Sequence, residues 1–96
     1  MITEKKIIVA KLADLENEGR DNKDSAAFKG YATIKKLQNV VRHLEDKDAL
    51  KKGLQTTKEI AELSKDEYEA AGITILADQS AYEVKTLNDL ITALGE

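Results

Sequence analysis

The sequence predicts a small, predominantly helical α+β domain, in which a helical bundle carries a two-stranded β-hairpin near the C-terminus. Three observations lead to this fold class. Apolar residues between positions 25 and 44 recur every three or four residues, which is the spacing of one helix face. The chain has no proline and is rich in Lys, Glu, Leu and Ala, a composition that favours helix. A β-branched run at 73–77 precedes an alternation of apolar and polar residues at 81–85, which is typical of a strand.

Length and composition predict one domain, residues 1–96, with a modest core. That core must be aliphatic, since the chain has only three tyrosines and one phenylalanine. The absence of cysteine excludes disulfides and cysteine metal sites. The N-terminal apolar run ends at Lys11 and is too short for a signal peptide or a membrane span. We therefore expect a cytoplasmic protein without membrane contact.

A first helix is predicted over residues 3–18, because Ile8, Leu12 and Leu15 lie four and three residues apart. Thr3 is a candidate N-cap and Gly19 a candidate stop. A strand through residues 6–10 is the alternative. The helix is preferred, because the helical period continues beyond residue 10 without a turn signal.

A second, long helix is predicted over residues 25–44. It follows a polar connector at 19–24, and both Asp24 and Ser25 are suited to N-capping. Gly30 falls on its apolar face. There it either lets a neighbouring helix approach closely or is a tolerated weak point that costs about 1 kcal/mol relative to alanine. The predicted apolar face consists of Ala27, Gly30, Ile34, Leu37, Val41 and Leu44.

Residues 49–71 resume helical spacing and are predicted to form short segments rather than one rod. Two capping-box patterns within this region suggest the breaks, one beginning at Thr56 and one at Ser64. Gly72 supplies the helix stop.

The β-hairpin is predicted to pair residues 73–77 with residues 81–85 through the short polar link at 78–80. A closing helix follows, with Thr86 and Asp89 as its capping signal. Its apolar residues are Leu87, Leu90, Ile91 and Leu94.

No enzymatic site is predicted. His43 is the only histidine, and none of the serines lies in the sequence context of a catalytic nucleophile. The acidic clusters lack the pattern of a calcium loop, and the glycines form no nucleotide-binding motif. We therefore expect no catalytic residue, no cofactor and no bound metal.

The candidate partner-binding surface is the basic side of the long helix. No acidic residue occurs between positions 25 and 44, so this side carries cations, one amide and His43, with Phe28 and Ala32 in its middle. Phe28 either folds back beneath the connector or anchors a partner, as exposed aromatic residues beside cations do at interfaces. The predicted partner-binding residues are Phe28, Lys29, Lys35, Lys36, Asn39 and Arg42.

These features predict a non-enzymatic binding protein that acts through protein–protein contacts. A regulatory, inhibitory or assembly accessory role fits its small size, and a phage or mobile-element origin is compatible with it. The uneven charge, basic at 21–44 and acidic beyond 45, is also compatible with a homo-oligomer. The alternative is a nucleic-acid-binding regulator that uses the basic face. The net charge of −3 argues against it, because nucleic-acid-binding domains are usually basic.

Overall fold

A computed structural model describes residues 1–95, and in this range the chain forms five α-helices and no strand. α4 and α5 are joined by a tight turn and pack along each other as an antiparallel hairpin. α1 packs against α2 and α3. The helices are α1 (Thr3–Asp21), α2 (Ala26–Lys29), α3 (Tyr31–Arg42), α4 (Lys47–Ala70) and α5 (Thr74–Ala93).

The predicted α+β class is therefore wrong, because residues 74–85 belong to α5 and Ile73 is its N-cap, so this region is not a β-hairpin. Ala77, Val84 and Leu87 are spaced seven and three residues apart, so in a helix they share one face. Ala77 and Leu87 are buried and Val84 is half-buried. In an isolated strand pair, by contrast, they would have had no core to cover them. Packing against α4 thus overrides the β-propensity of the run that contains Ile73 and Ile75.

The turn between α4 and α5 depends on Gly72. Its φ of +73° lies in the left-handed region, where side chains with a Cβ are strained. The amide of Gly72 donates to the carbonyl of Glu69, and the amide of Ile73 donates to the carbonyl of Tyr68. This pair of hydrogen bonds is the Schellman ending of a helix. The predicted stop at Gly72 is confirmed, and it reverses the chain into a second helix.

α4 is one continuous helix, so the predicted division of residues 49–71 into short segments is wrong. Asp46 caps its start by accepting a 2.8 Å hydrogen bond from the amide of Ala49. The two internal capping-box patterns are not used as caps, since both lie inside the helix. Thr57, next to the first of them, donates its hydroxyl to the carbonyl of Gly53 instead.

α1 confirms the predicted first helix, but its ends differ from the prediction. Ile2 and not Thr3 occupies the N-cap position, and the helix continues through Gly19 to Asp21. Gly19 is buried against α2. A Cβ at this position would lie 2.9 Å from the carbonyl oxygen of Ala27. The glycine therefore permits close helix packing and does not end the helix.

The predicted long helix at 25–44 is interrupted at Gly30, which separates α2 from α3. Ser25 is the N-cap, as predicted, and accepts a 3.0 Å hydrogen bond from the amide of Phe28. At Gly30 an added Cβ would lie 2.3 Å from the ring of Tyr82 on α5. Of the two interpretations of Gly30, the structure supports close approach of a neighbouring helix.

The core lies where α1 and α3 pack on the base of the α4–α5 hairpin. It is aliphatic, and nine large side chains in it are less than 2% exposed. Across residues 1–95, none of the helices is apolar over a length sufficient to cross a bilayer. The nine side chains are those of Ile8, Leu12, Ile34, Leu37, Val41, Leu50, Leu54, Leu87 and Leu90.

Candidate functional site

The end of the α4–α5 hairpin that carries the turn, residues 59–78, is the hairpin tip. It leaves its large aliphatic side chains exposed. Between residues 62 and 76 no residue is fully buried. Leu63 is 64% exposed and Ile75 is 74% exposed. We call the exposed aliphatic residues of this region the tip surface, which consists of Ile60, Leu63, Ile73, Ile75 and Leu76.

A groove of about 260 Å³ separates α3 from the hairpin tip. Small residues line it on both sides, among them Ala32 of α3 and Ala61 of α4, while Ile60 and Leu76 supply aliphatic walls. Small side chains leave room for an incoming side chain, and the aliphatic walls give it an apolar surface to contact.

A second groove, of about 390 Å³, lies between α2 and α5. Ile75 and Tyr82 line it from α5, and Lys29 and Gly30 line it from the other side. Gln79 lines both grooves, so they adjoin along α5. Together they form a tip cleft between the α2–α3 segment and the hairpin tip.

Tyr82 fixes the inner end of the tip cleft. Its ring packs on the bare backbone of Gly30, which holds α2 and α3 close to α5. Its hydroxyl oxygen is buried. Burial raises the pKa of the Tyr82 phenol, because the ionised form would lose its hydration.

Two of the predicted binding lysines form ion pairs within the protein. The Lys36 ammonium lies 2.6 and 2.9 Å from the two carboxylate oxygens of Glu83, whose side chain is only 8% exposed. The Lys35 ammonium donates to Glu16 of α1. These two lysines therefore hold α3 to α5 and to α1, and the charge that they offer to an outside partner is reduced.

The Glu16 contact changes the ionisation of both partners. Hydrogen bonds from Lys35 and, to a lesser extent, Gln38 hold the pKa of Glu16 below its ordinary value. The hydrogen bond to Glu16 also raises the pKa of Lys35. Both groups thus stay charged over a wider pH range than free side chains would.

The remaining predicted binding residues do not form one surface. Lys29 lines the tip cleft, and Phe28 beside it on α2 is 47% exposed. Asn39 is exposed on α3. Arg42 lines a separate groove near the start of α1, together with Met1. Among residues 1–95, neither Lys29 nor Arg42 has an ion-pair partner. The structure thus places Lys29 and Lys36 at the tip cleft and leaves the others elsewhere.

The tip surface is not among the predicted binding residues. Ile60 and Leu63 fall in the region 49–71 that was predicted to have helical spacing, but the buried positions of α4 are Leu50, Leu54 and Ala61. The sequence contained one indication that Leu63 is exposed. In a continuous helix Leu63 lies about 180° from Leu54, so the two cannot share a buried face. The predicted breaks in this region removed that constraint.

The only histidine of the chain, His43, does not line the tip cleft and is exposed at the end of α3. Within the described residues, no three His, Asp or Glu side chains converge on a position that could hold a metal ion. The residues that line the cleft offer apolar contacts bordered by charges. Comparison with known proteins adds nothing to this description, because the chain matches no protein-family model, no curated protein and no solved structure.

Proposed function

We propose that this chain is a small non-enzymatic binding protein, regulatory or assembly-related, that acts through protein–protein contacts at the hairpin tip. The observation that carries the proposal is the tip surface. Five large aliphatic side chains, each between 37% and 74% exposed, lie within seventeen residues of sequence. Scattered apolar residues are ordinary on a protein surface, whereas several of them beside grooves, as Ile60, Leu76 and Ile75 are, are typical of an interaction site.

The shape of the molecule supports this proposal. Its accessible surface is 5999 Å², against about 5,500 Å² for a typical monomer of this mass. The longest dimension is 41 Å and the shortest is 21 Å. A larger area than that of a typical monomer of this mass fits an elongated hairpin that exposes aliphatic residues.

The nucleic-acid alternative loses part of its support. Four cations were assigned to the basic face, but Lys35 and Lys36 are neutralised by carboxylates of the same chain. Lys29 and Arg42 remain, on different grooves. Since the phosphate backbone dominates nucleic-acid affinity, two separated cations give a weak electrostatic footprint.

The proposal is tested by site-directed photocrosslinking. The chain has no cysteine, so an Ile75→Cys variant can carry a single photoreactive label at the tip surface. Val9→Cys is the matched control, because Val9 is a 40% exposed aliphatic residue on α1. In a lysate of the native host, we expect the label at position 75 to capture a protein that the label at position 9 does not.

Two results would contradict the proposal. One is the absence of any protein captured specifically from position 75. The other is capture of nucleic acid, with affinity that falls steeply as salt rises and is lost in a Lys29→Glu, Arg42→Glu double variant. The second result would establish the alternative function.

A further inference from the structure

The hairpin tip has a charge that restricts the chemistry of its partner. Residues 59–78 contain six acidic residues and one basic residue, a net charge of −5. The rest of the chain has a net charge of +2. The basic residue, Lys65, forms an ion pair with Glu69, the carboxylate one helical turn further along. The tip is therefore apolar and strongly acidic at once.

The carboxylates surround Leu63, the more exposed of the two large aliphatic residues on the outside of α4. Leu63 is 64% exposed, and its neighbours on the helix surface at four residues before and at three and four residues after are Glu59, Asp66 and Glu67. All three are exposed. Ile60, three residues before Leu63, connects this position to the wall of the tip cleft. An apolar centre with a charged rim is the usual anatomy of a protein interface.

We infer, on the basis of the proposed function, that the tip surface and tip cleft bind a basic amphipathic segment of a protein partner. Apolar side chains of that segment contact Ile60, Leu63 and Leu76, and its lysine or arginine side chains face the carboxylates on α4. Complementary charge raises the association rate and excludes partners of the wrong sign.

The charge also decides against a second copy of this chain at the tip. Two hairpin tips brought together would place a net charge of −5 against another of −5, with only one lysine on each. Like charges that oppose each other at an interface repel, which disfavours self-association through the tip.

The cleft has two cations on its α2–α3 side, Lys29 and Lys36. Lys29 lines the groove opposite Ile75, and Asp78 lines the same groove. At the other groove the Lys36 ammonium is paired with Glu83. Each of these cations thus has a carboxylate in the same groove, and the surplus negative charge of the tip lies on α4. This asymmetry orients the partner, with its cations toward α4.

The test uses two designed helical peptides of equal length. Both have leucines on one face, and the polar positions are lysine in one peptide and glutamate in the other. Binding is followed by fluorescence anisotropy at 50 and 300 mM salt. We expect the lysine peptide to bind and the glutamate peptide not to bind, and we expect the affinity for the lysine peptide to fall as salt rises, since salt screens the attraction.

Single substitutions show which surface of the protein binds the lysine peptide. Leu63→Ser and Ile60→Ser remove largely exposed side chains that the proposed partner contacts, and each is expected to weaken binding of the lysine peptide at least tenfold. Val9→Ser on α1 is the matched control and is expected to bind as the unaltered protein does. Circular dichroism confirms that each variant is folded.

Charge-reversal variants measure the electrostatic contribution to binding of the lysine peptide. A Glu59→Lys, Asp66→Lys double variant is expected to lose at least tenfold in affinity for the lysine peptide. An Asp14→Lys, Asp21→Lys double variant makes the same change in net charge on α1, where both positions are exposed. It is expected to retain binding within about twofold, because these positions lie outside the hairpin tip.

Four results overturn the inference: no binding of the lysine peptide, equal binding of both peptides, equal loss in the two charge-reversal variants, or dimerisation in sedimentation that Ile75→Ser abolishes. The crosslinking experiment shows whether only the inference of a basic partner has failed or the proposed binding function has failed as well. A protein captured from position 75 through a segment without net positive charge would contradict the basic partner and leave the binding function in place.

Discussion

Replacing Gly30 with alanine tests the packing that shapes the tip cleft. The new Cβ would lie 2.3 Å from two ring carbons of Tyr82, so either the ring or the α2–α3 junction must move. Overpacking of this kind costs about 1–3 kcal/mol. The gain in helix propensity offsets at most about 1 kcal/mol. We therefore expect Gly30→Ala to lower the free energy of unfolding by about 1–2 kcal/mol, which corresponds to a decrease in Tm of about 4–16 °C.

The assay is urea unfolding followed by circular dichroism, with Gly53→Ala as the matched control. A Cβ at position 53 would lie 2.6 Å from a methyl carbon of Leu44, which is the end of a flexible side chain and can rotate away. Gly53→Ala is therefore expected to be neutral or to stabilise the protein by up to about 1 kcal/mol. Both variants add the same methyl group within the helical region, so the difference between them reports the Tyr82 contact.

A double-mutant cycle with Tyr82→Ala isolates that contact. Without the ring, Gly30→Ala is expected to lose its penalty, which gives a coupling energy of about 1 kcal/mol or more. If Gly30→Ala melts at or above the temperature of the unaltered protein, or if its penalty persists without the ring, then Gly30 is a tolerated weak point in a helix. The close approach of α5 would not then be what separates α2 from α3.

Three further predictions follow from contacts elsewhere in the structure. Lys36→Met should lower the free energy of unfolding in urea by about 1 kcal/mol, because it leaves the buried carboxylate of Glu83 without its partner. The control Lys29→Met removes a lysine without an ion-pair partner and should change the free energy of unfolding by less than about 0.5 kcal/mol. The lowered pKa of Glu16 means that its ionised form adds stability at neutral pH, which is lost as the pH falls through the folded-state pKa. Glu16→Gln should therefore show a smaller decrease in Tm between neutral pH and about pH 3 than the unaltered protein. Gly72→Ala should lower the free energy of unfolding by about 1–2 kcal/mol, because a left-handed φ strains any side chain, and Gly72→Asn should cost less.

For each of these three predictions, one result would contradict it. Equal effects of the two lysine substitutions would show that the ion pair on α5 contributes nothing measurable. An unchanged pH dependence in the glutamine variant would show that the carboxylate on α1 titrates normally. An alanine at the turn that leaves Tm unaltered would mean that the link between α4 and α5 does not require the left-handed conformation.

The candidate site was only partly accessible from the sequence. Lys29 and Lys36 were both predicted and both line the tip cleft. The internal pairing of Lys36 could not be predicted, because Glu83 is 47 residues away and was assigned to a strand. Ile75 was assigned to the other strand of the predicted hairpin, and this assignment concealed an exposed aliphatic residue of a helix.

Features that depend on neighbouring residues could be predicted from the sequence alone. The 3.6-residue period of Ile8 and Leu12 was enough to define α1, and the Ser25 cap and the Gly72 stop follow from local backbone chemistry. Which helices face each other depends on contacts between distant segments. The β-branched residues after Ile73 are helical because residues further along α5 are buried against α4, and the Tyr82 ring of α5 packs against Gly30 at the break between α2 and α3. Burial against a distant partner contributes more free energy than local propensity does, and a pattern within one segment does not contain that partner.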